Sequence, residues 1–303
     1  MAGAQFVTRS ACINCGSKNV GELSSGSFHD EPLHDFLAAD PWGENPIPFL
    51  EGQRWSYVKC RDCTQAFHAR ILSPEWNEIK FVRWMTAEAI ADFHEIHCDA
   101  GTRFNKAVHF TKHALQIEYL TRALRATDPV RVLDFGCGNG EFLAICALYG
   151  FEASGIDRSS ARRDKAVPDI VATVEELDRS SPFHAITLFE VLEHVDDPGG
   201  ILRMLRELLI PGGILVLETP DCSGVTTLAS RHDYALIHPL DHINGFTPTT
   251  LRSIAGRIGF QPIRAPLSQV TCSPARVAKT EAKRFLQFAL RDTTQQYFRL
   301  GLS

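Results

Sequence analysis

The chain has 303 residues, of which 44% are apolar and 22% charged, and its formal net charge is −5. These values are typical of globular proteins and exclude a wholly disordered chain or a collagen-like repeat. The mildly acidic balance argues against a protein that coats nucleic acid and against one that adheres to anionic membranes.

The first 75 residues contain two Cys-x-x-Cys pairs, Cys12 with Cys15 and Cys60 with Cys63. Two intervening residues allow a tight turn to aim both sulfur atoms at one ion, and two such turns supply the four thiolates of a closed tetrahedral zinc site. Such a site has no open position for a substrate, so we expect the zinc to be structural. The alternative is a redox dithiol or four unrelated thiols. We predict a zinc ribbon and loop-rich cap over residues 1–75.

The other five cysteines share no ligand spacing, and we interpret them as small apolar fillers. They are Cys98, Cys137, Cys146, Cys222 and Cys272. The N-terminal segment has no apolar export signal, and no stretch reaches about 18 consecutive apolar residues. We therefore expect a cytoplasmic protein with reduced thiols and no membrane partner.

Helical periodicity dominates from Pro74 to about residue 126. In the segment HFTKHALQIEYLTRAL, apolar residues recur at steps of three and four from Phe110 to Leu124. This spacing places them on one face of a helix. We predict a helical lead-in over residues 76–128.

Short apolar runs alternate with helical stretches after Asp128. Strands separated by helices are typical of βαβ units in a parallel sheet. The predicted fold class is therefore α/β, with a doubly wound Rossmann-like sheet over residues 129–303 behind the zinc ribbon and helical cap. The tail from Ser273 to Ser303 could form an amphipathic helix that covers the core or contacts a second subunit in a homodimer.

The segment VRVLDFGCGNGEFL predicts a strand, a turn with glycine at three alternate positions, and a helix. The dinucleotide-binding fingerprint needs a glycine where Glu141 stands, and a phosphate-binding loop needs a Gly-Lys-Ser/Thr sequence that this turn lacks. Asp134, two residues before the turn, would repel a pyrophosphate but suits an ammonium group. The next strand ends in Asp157, whose carboxylate can accept both hydroxyls of a ribose. An ammonium and a ribose without a phosphate describe S-adenosylmethionine.

Four segments, LDFGCGNG, GIDRS, FEVLEHVDDP and LLIPGGILVLETP, stand in the order and at the spacing of the class I S-adenosylmethionine-dependent methyltransferases. The chain resembles this family over residues 129–264, and its N-terminal segment resembles the zinc ribbon that precedes many such domains. The resemblance implies that the methionine part of the cofactor is held by Asp134, Gly136, Gly138 and Asn139. It implies that Asp157 binds the ribose and that Val174 or its neighbours bind the adenine. It also implies that Phe189 and Glu190 form the turn beneath the sulfur.

Glu190, Glu193 and His194 stand at i, i+3 and i+4 where a strand is predicted to pass into a helix. This spacing puts three side chains on one face, and two carboxylates with an imidazole suit a divalent ion such as Mg²⁺ or Mn²⁺ that keeps open positions. His238 or His242, in the segment HPLDHINGFTPTTL, could add a fourth ligand. We predict Glu190, Glu193, His194 and His242 as catalytic residues and as ligands of this second metal. The alternative is that Glu190 accepts from the cofactor or a backbone amide, Glu193 lies on a solvated face, and His194 acts as a general base without metal.

Two further resemblances concern the methyl acceptor. The E-x-x-E-H segment with the later D-H-x-x-x-F-T resembles the metal-dependent small-RNA 2′-O-methyltransferases. The segment E-V-L-E-H alone resembles the O-methyltransferases of ubiquinone biosynthesis, which act on catechol-like hydroxyls.

We therefore predict an enzyme that methylates a hydroxyl of a small molecule, with a divalent metal or a histidine base activating the oxygen. The alternatives are C-methylation in a natural-product or sugar pathway, 2′-O-methylation of an RNA end, and a non-catalytic binding module. The ribbon shows no aromatic residues interleaved with basic ones, and this disfavours a nucleic-acid partner.

Overall fold

The computed structural model describes residues 3–124, 128–164, 170–177, 181–265, 274–290, 294 and 296–301. These residues divide into two compact units, each assembled from separate stretches of chain. The first unit comprises Met1–Cys98, Leu192–Gly199 and Thr219–Ile254. The second unit comprises Asp99–Val191, Gly200–Glu218 and Ala255–Ser303. The predicted division of the chain into residues 1–75, 76–128 and 129–303 stays a prediction.

The chain up to Cys98 is built from short strands and helices. In chain order these are β1 (Phe6–Thr8), β2 (Val20–Ser27), α1 (Leu33–Ala39), β3 (Arg54–Cys60), β4 (Ala66–His68), β5 (Arg70–Leu72), α2 (Pro74–Ile79) and α3 (Ala87–His97). The start of α2 is fixed by Ser73, whose hydroxyl accepts a hydrogen bond from the Trp76 N–H, and by Pro74 in the first turn. A π-helical turn, Lys80–Trp84, follows α2.

The middle of the chain alternates helices and strands. In chain order these are α4 (Ala100–Thr121), β6 (Arg131–Phe135), α5 (Glu141–Leu148), β7 (Glu152–Ile156), α6 (Ser160–Arg163), β8 (Ile170–Val171), β9 (Phe183–Phe189), α7 (Pro198–Arg206) and β10 (Leu209–Glu218). Helices α2, α3 and α4 occupy the segment for which helical periodicity was predicted. Phe110, Ala114 and Ile117 of α4 are buried on one face, as their spacing predicts.

The C-terminal part of the chain ends in a strand that the sequence did not predict. Its elements are α8 (Arg231–Leu236), β11 (Asn244–Gly245), α9 (Pro248–Arg257), β12 (Phe260–Ile263), α10 (Pro274–Leu290) and β13 (Gln296–Leu300). The helix expected in the tail is α10. The following strand, β13, is drawn into the sheet because it buries Tyr297 and Phe298. Cys272, interpreted as a filler, lies outside the described residues.

A seven-stranded sheet forms the centre of the second unit, in the order β12-β13-β10-β9-β6-β7-β8. The strands from β10 to β8 are parallel, whereas β13 runs antiparallel to both β10 and β12. The strand order changes direction between β6 and β9, because β7 and β8 lie to one side and β10 to the other. Open α/β sheets bind ligands at the carboxyl ends of the strands beside such a switch point. This topology confirms the predicted doubly wound α/β fold.

The first unit has its own aromatic core. Its larger sheet is antiparallel in the order β11-β4-β3-β2, and β1 pairs with β5. Three tryptophans, Trp55, Trp76 and Trp84, lie in this core. A set of buried side chains from the second half of the chain completes it: Cys222, Leu228, Tyr234, Ile237 and Leu240. The core therefore depends on residues far along the chain from the ribbon.

The fully buried side chain of Phe298 provides a test of β13 as part of the sheet core. Truncation by Phe298→Ala should lower the free energy of unfolding by about 3–5 kcal/mol, because it opens a cavity between strands. Urea denaturation of the full chain measures this loss. The matched control is Arg299→Ala, an exposed neighbour on the same strand, which should change stability by less than about 0.5 kcal/mol. Equal stabilities for Phe298→Ala and the wild type would contradict the assignment.

Candidate active site

The turn between β6 and α5 runs too close to its surroundings for a side chain at its first position. Gly136, Gly138 and Gly140 have φ values of 78°, 57° and 76°, in the left-handed region that glycine adopts without steric cost. A Cβ atom on Gly136 would lie 2.4 Å from Val191 Cγ2. Gly138 faces open space, with nothing within 4 Å of a Cβ placed there. The turn therefore brings bare backbone to the edge where a ligand is expected.

Asp157, the residue after β7, fixes this turn to the neighbouring strand. Its Oδ2 accepts a hydrogen bond from the Gly138 N–H at 2.9 Å, and its Oδ1 accepts one from the Ser159 N–H at 2.8 Å. Each carboxylate oxygen has a second lone pair, which leaves acceptor capacity for the two hydroxyls of a ribose.

Asp134 stands near the end of β6 and is 3% exposed. Its Oδ1 accepts a hydrogen bond from the Thr187 hydroxyl at 2.6 Å. Burial raises the pKa of Asp134 to about 7, and the hydrogen bond from Thr187 only partly opposes this. Thr187 lies on β9 and was not predicted as a site residue, because no motif marks a lone threonine inside a strand.

The other predicted cofactor residues are also in the second unit. The side-chain oxygen of Asn139 is buried and has no hydrogen-bond partner among the described residues. Val174 is buried at the start of a 3₁₀ turn, Val174–Glu176. The ring of Phe189 packs against Phe142 with centroids 5.1 Å apart and so belongs to the core. Glu190 has a φ of 55°, a strained conformation of the kind found at functional sites.

These residues fit S-adenosylmethionine. A buried carboxyl group with a raised pKa suits the ammonium of the methionine part, and the carboxylate at the end of the adjacent strand suits the ribose. The open backbone at Gly138 and the unpartnered oxygen of Asn139 leave room and hydrogen-bonding capacity beside them. The pairing of the neighbouring strands β6 and β7 holds the two carboxyl groups at one edge of the sheet.

The four predicted zinc ligands are brought together in the first unit. Cys12 Sγ lies 3.4 Å from Cys63 Sγ, and Cys15 Sγ lies 3.6 Å from Cys60 Sγ. All four sulfur atoms lie within 4.8 Å of one another, compared with ~3.8 Å between thiolates at the corners of a zinc tetrahedron.

Both knuckles share one backbone design. A left-handed residue follows each second cysteine: Gly16 with φ of 74° and Thr64 with φ of 66°. The N–H groups of these two residues donate to the carbonyls of Cys12 and Cys60. The sulfur geometry and the paired turns fit a tetrahedral ion.

A second group in the first unit joins three of the predicted catalytic residues. Ligand atoms of Glu193, His194 and His242 lie within 4.8 Å of one another. Glu193 is 1% exposed, and its Oε1 lies 3.8 Å from His194 Nε2. Glu190 belongs to the second unit, so its place as a fourth ligand stays a prediction.

Asp241 was missed in the sequence analysis and orients His194. Its Oδ1 lies 3.1 Å from His194 Nδ1 and accepts a hydrogen bond from the Lys80 ammonium at 3.0 Å. Burial opposes ionisation of Asp241, but the charges of His194 and Lys80 outweigh it and hold the pKa of this carboxyl well below its usual range. The D-H dipeptide at 241–242 was the available signal, and only its histidine was used.

The two histidines of the segment HPLDHINGFTPTTL have different positions. The ring of His242 lies 4.7 Å from that of His194, and burial lowers the pKa of His242 to about 4. His238 instead accepts a hydrogen bond from the Leu240 N–H and packs against Phe36. His242 is thus the member of the pair that the structure places in the metal-capable group.

Comparison with known proteins identifies the class that this fold and site define. The sequence model of the methyltransferase domain family matches residues 107–265, which is more than half of the chain. The chain therefore belongs to this family, which places it among the class I S-adenosylmethionine-dependent methyltransferases.

Curated relatives include two ubiquinone biosynthesis O-methyltransferases. The protein from Alkalilimnicola ehrlichii is 36% identical over 117 residues, covering 35% of this chain and 47% of the relative. The protein from Caulobacter sp. strain K31 is 34% identical over 104 residues, covering 30% of this chain and 41% of the relative. The chain thus spans less than half the length of these two relatives.

Solved structures with similarity include a methyltransferase from Archaeoglobus fulgidus, at 20% identity and a TM-score of 0.37, covering 66% of this chain and 98% of that one. An amino pentose methyltransferase from Micromonospora echinaspora is 28% identical with a TM-score of 0.30, covering 36% of this chain and 50% of that one. Within the described ranges, no helix combines the length and apolarity needed to span a bilayer.

The raised pKa of Asp134 predicts how cofactor binding depends on pH. The carboxyl group must be ionised to attract an ammonium, so affinity should weaken as the pH falls through about 7. The ionised fraction drops from half at pH 7 to about a tenth at pH 6, which predicts roughly fivefold weaker binding of S-adenosylhomocysteine. Calorimetry at both pH values measures this change.

Two variants test whether the pH dependence of cofactor binding comes from Asp134 or from another carboxyl group. Asp134→Asn should bind weakly and lose the difference between pH 6 and pH 7. Glu207→Gln, which removes an exposed carboxyl of the same unit, should keep the wild-type profile. An unchanged pH dependence in Asp134→Asn would refute the assignment.

Proposed function

We propose that this protein transfers the methyl group of S-adenosylmethionine to a hydroxyl oxygen of a small molecule. The observation that carries the proposal is the contact of Asp241 with both His194 Nδ1 and the Lys80 ammonium, which presents an oriented imidazole. Supporting it, the chain matches relatives named as ubiquinone biosynthesis O-methyltransferases over part of their length.

The cofactor residues have a positioning task. S-adenosylmethionine, when bound, supplies an electrophilic methyl group on a sulfonium. Asp134 would hold its ammonium, and Asp157 its ribose hydroxyls. Methyl transfer is an in-line displacement, so holding the donor in one orientation supplies a large part of the rate enhancement.

The acceptor oxygen must lose a proton, and His194 is the proposed base. Asp241 accepts at His194 Nδ1, so the neutral ring carries its proton there and leaves Nε2 as the acceptor. Lys80, which is 2% exposed, balances the negative charge of Asp241. Asp241 therefore acts as a positioning residue that sets the tautomer of His194. His194 follows Glu190 by four residues in the sequence.

A divalent ion at Glu193, His194 and His242 is the second way to activate the acceptor. The three side chains fit a cation because their ligand atoms converge and the ring of His242 is neutral at pH 7. A bound divalent cation lowers the pKa of a hydroxyl that it coordinates. In that version His194 is a ligand instead of a base.

Replacing His194 tests both versions. His194→Gln should lower kcat by about 10²–10⁴-fold, because either the base or a ligand is lost, while the affinity for S-adenosylhomocysteine stays unchanged. The matched control His232→Gln removes an exposed histidine of the same unit and should leave kcat unchanged. A kcat for His194→Gln above half that of the wild type would exclude both roles.

A chelator separates the two versions. Enzyme dialysed against EDTA until only its thiolate-bound zinc remains should keep full activity if His194 is a base. It should lose activity, and regain it with Mg²⁺ or Mn²⁺, if the ion activates the acceptor.

The acceptor class is tested with methyl-labelled cofactor. Catechols, sugars and short RNA ends are incubated with the enzyme, and the product linkage is determined by mass spectrometry. A labelled O–CH₃ group on a small molecule supports the proposal. A new C–CH₃ bond would favour the natural-product or sugar alternative, and labelled ribose in RNA would favour the RNA alternative. The proposed acceptor is a cytoplasmic small molecule.

The chain is also proposed to form a homodimer, and light scattering in solution tests this.

We also propose that the four cysteines hold a structural zinc ion, on the basis of their converging sulfur atoms. Cys60→Ser should reduce bound zinc from one ion per chain to near zero and unfold the ribbon, because a three-thiolate site is incomplete. Elemental analysis and circular dichroism measure the two effects. Cys98→Ser, outside the cluster, should keep its zinc. Full zinc occupancy in Cys60→Ser would contradict the four-thiolate site.

A further inference from the structure

A third group of ligand-type side chains lies in the second unit, outside the residues considered so far. His109 and His113 are one turn apart on α4, and Glu218 is the last residue of β10. Glu218 Oε2 lies 3.0 Å from His109 Nε2 and 3.5 Å from His113 Nε2. The two imidazole rings lie 4.5 Å apart. Three ligand atoms therefore converge on one point.

The hydrogen bonds behind His113 determine which of its nitrogens carries the proton. The Tyr297 hydroxyl donates to Gln116 Oε1 and lies 2.9 Å from His113 Nδ1. A hydroxyl has one proton, so toward His113 it acts as an acceptor and Nδ1 is the protonated nitrogen. The lone pair of His113 Nε2 consequently faces Glu218.

In this arrangement two hydrogen-bond acceptors, His113 Nε2 and Glu218 Oε2, face each other. Among the described residues, His113 Nε2 is a buried atom without a hydrogen-bond partner. It faces Glu218 Oε2 at 3.5 Å, and the same oxygen lies 3.0 Å from His109 Nε2. Buried acceptors that face one another repel unless a proton or a cation lies between them.

We propose that His109, His113 and Glu218 bind a divalent transition-metal ion. Two imidazoles and one carboxylate are a ligand set suited to Zn²⁺, Mn²⁺ or Fe²⁺, and they leave coordination positions for water or an oxygen ligand. His109 is 26% exposed, so an ion can reach the site from solvent.

Residues around the three ligands hold them in place. Tyr297 is bonded to the non-ligating nitrogen of His113, as second partners of metal-bound histidines commonly are. The Phe189 ring packs on both imidazoles, at 4.9 Å from His113 and 5.9 Å from His109. Glu218 is fixed at its backbone, where its carbonyl accepts from the Glu190 N–H at 3.0 Å. These contacts orient the three ligands before an ion arrives.

The test uses the full chain loaded with one zinc ion per chain, which occupies the four cysteines, and titrates it with Co²⁺. We expect weak visible d–d bands from one ion per chain that His194→Gln retains, without the intense near-ultraviolet absorption of thiolate ligation. His109→Gln and Glu218→Gln should lower the Co²⁺ affinity at least tenfold. Tyr297→Phe should lower it by about 10–100-fold through its effect on His113.

Two controls separate this site from the group at His194. His194→Gln and His232→Gln should retain the wild-type Co²⁺ affinity. His109 is partly exposed, so His109→Gln is expected to fold, and its thermal midpoint is measured alongside. The proposal is overturned if the zinc-loaded wild type gives no Co²⁺ bands, if His109→Gln and Glu218→Gln bind Co²⁺ as tightly as the wild type, or if only His194→Gln abolishes the bands. Each result is independent of whether the protein methylates a hydroxyl.

Discussion

The hydrogen bond from the Gly138 N–H to the Asp157 carboxylate is the interaction on which the proposed cofactor site depends. It joins the glycine turn after β6 to the end of β7, the strand that pairs with β6 on one side of the switch point. Gly136 must lack a side chain, because Val191 occupies the space where its Cβ would be. With the turn fixed in this way, Asp134 and Asp157 are held at one edge of the sheet as a consequence of strand pairing.

Local sequence patterns were sufficient wherever the chain itself sets the geometry. The alternation of strands and helices predicted the α/β sheet, and the spacing of glycines after Asp134 predicted the turn between β6 and α5. The two Cys-x-x-Cys pairs predicted four sulfur atoms that the structure brings together. In each case the residues lie within one turn or repeat one local design.

Contacts between distant segments could not be predicted from a single sequence. Asp241 meets His194 across 47 residues, and its carboxylate carries no spacing signal that relates it to the E-x-x-E-H segment. His109 and His113 were placed on a helix, but their partner Glu218 is more than a hundred residues away. The strand β13 was missed because Tyr297 and Phe298 follow a helix near the end of the chain, and only the sheet explains their burial.

Asp134 and Asp241 differ in the charged groups that lie beside them, and this difference bears on whether each carboxyl group binds a ligand or positions a side chain. Burial raises the pKa of Asp134, and its hydrogen bond to the neutral Thr187 hydroxyl does not restore it. Asp241 is 27% exposed, and its pKa is held low because Lys80 and His194 lie against it. A buried carboxyl group without a cationic side chain beside it suits a cationic ligand, whereas one that already has such partners suits a positioning role. This difference supports the proposed roles of Asp134 toward the cofactor ammonium and of Asp241 toward the imidazole.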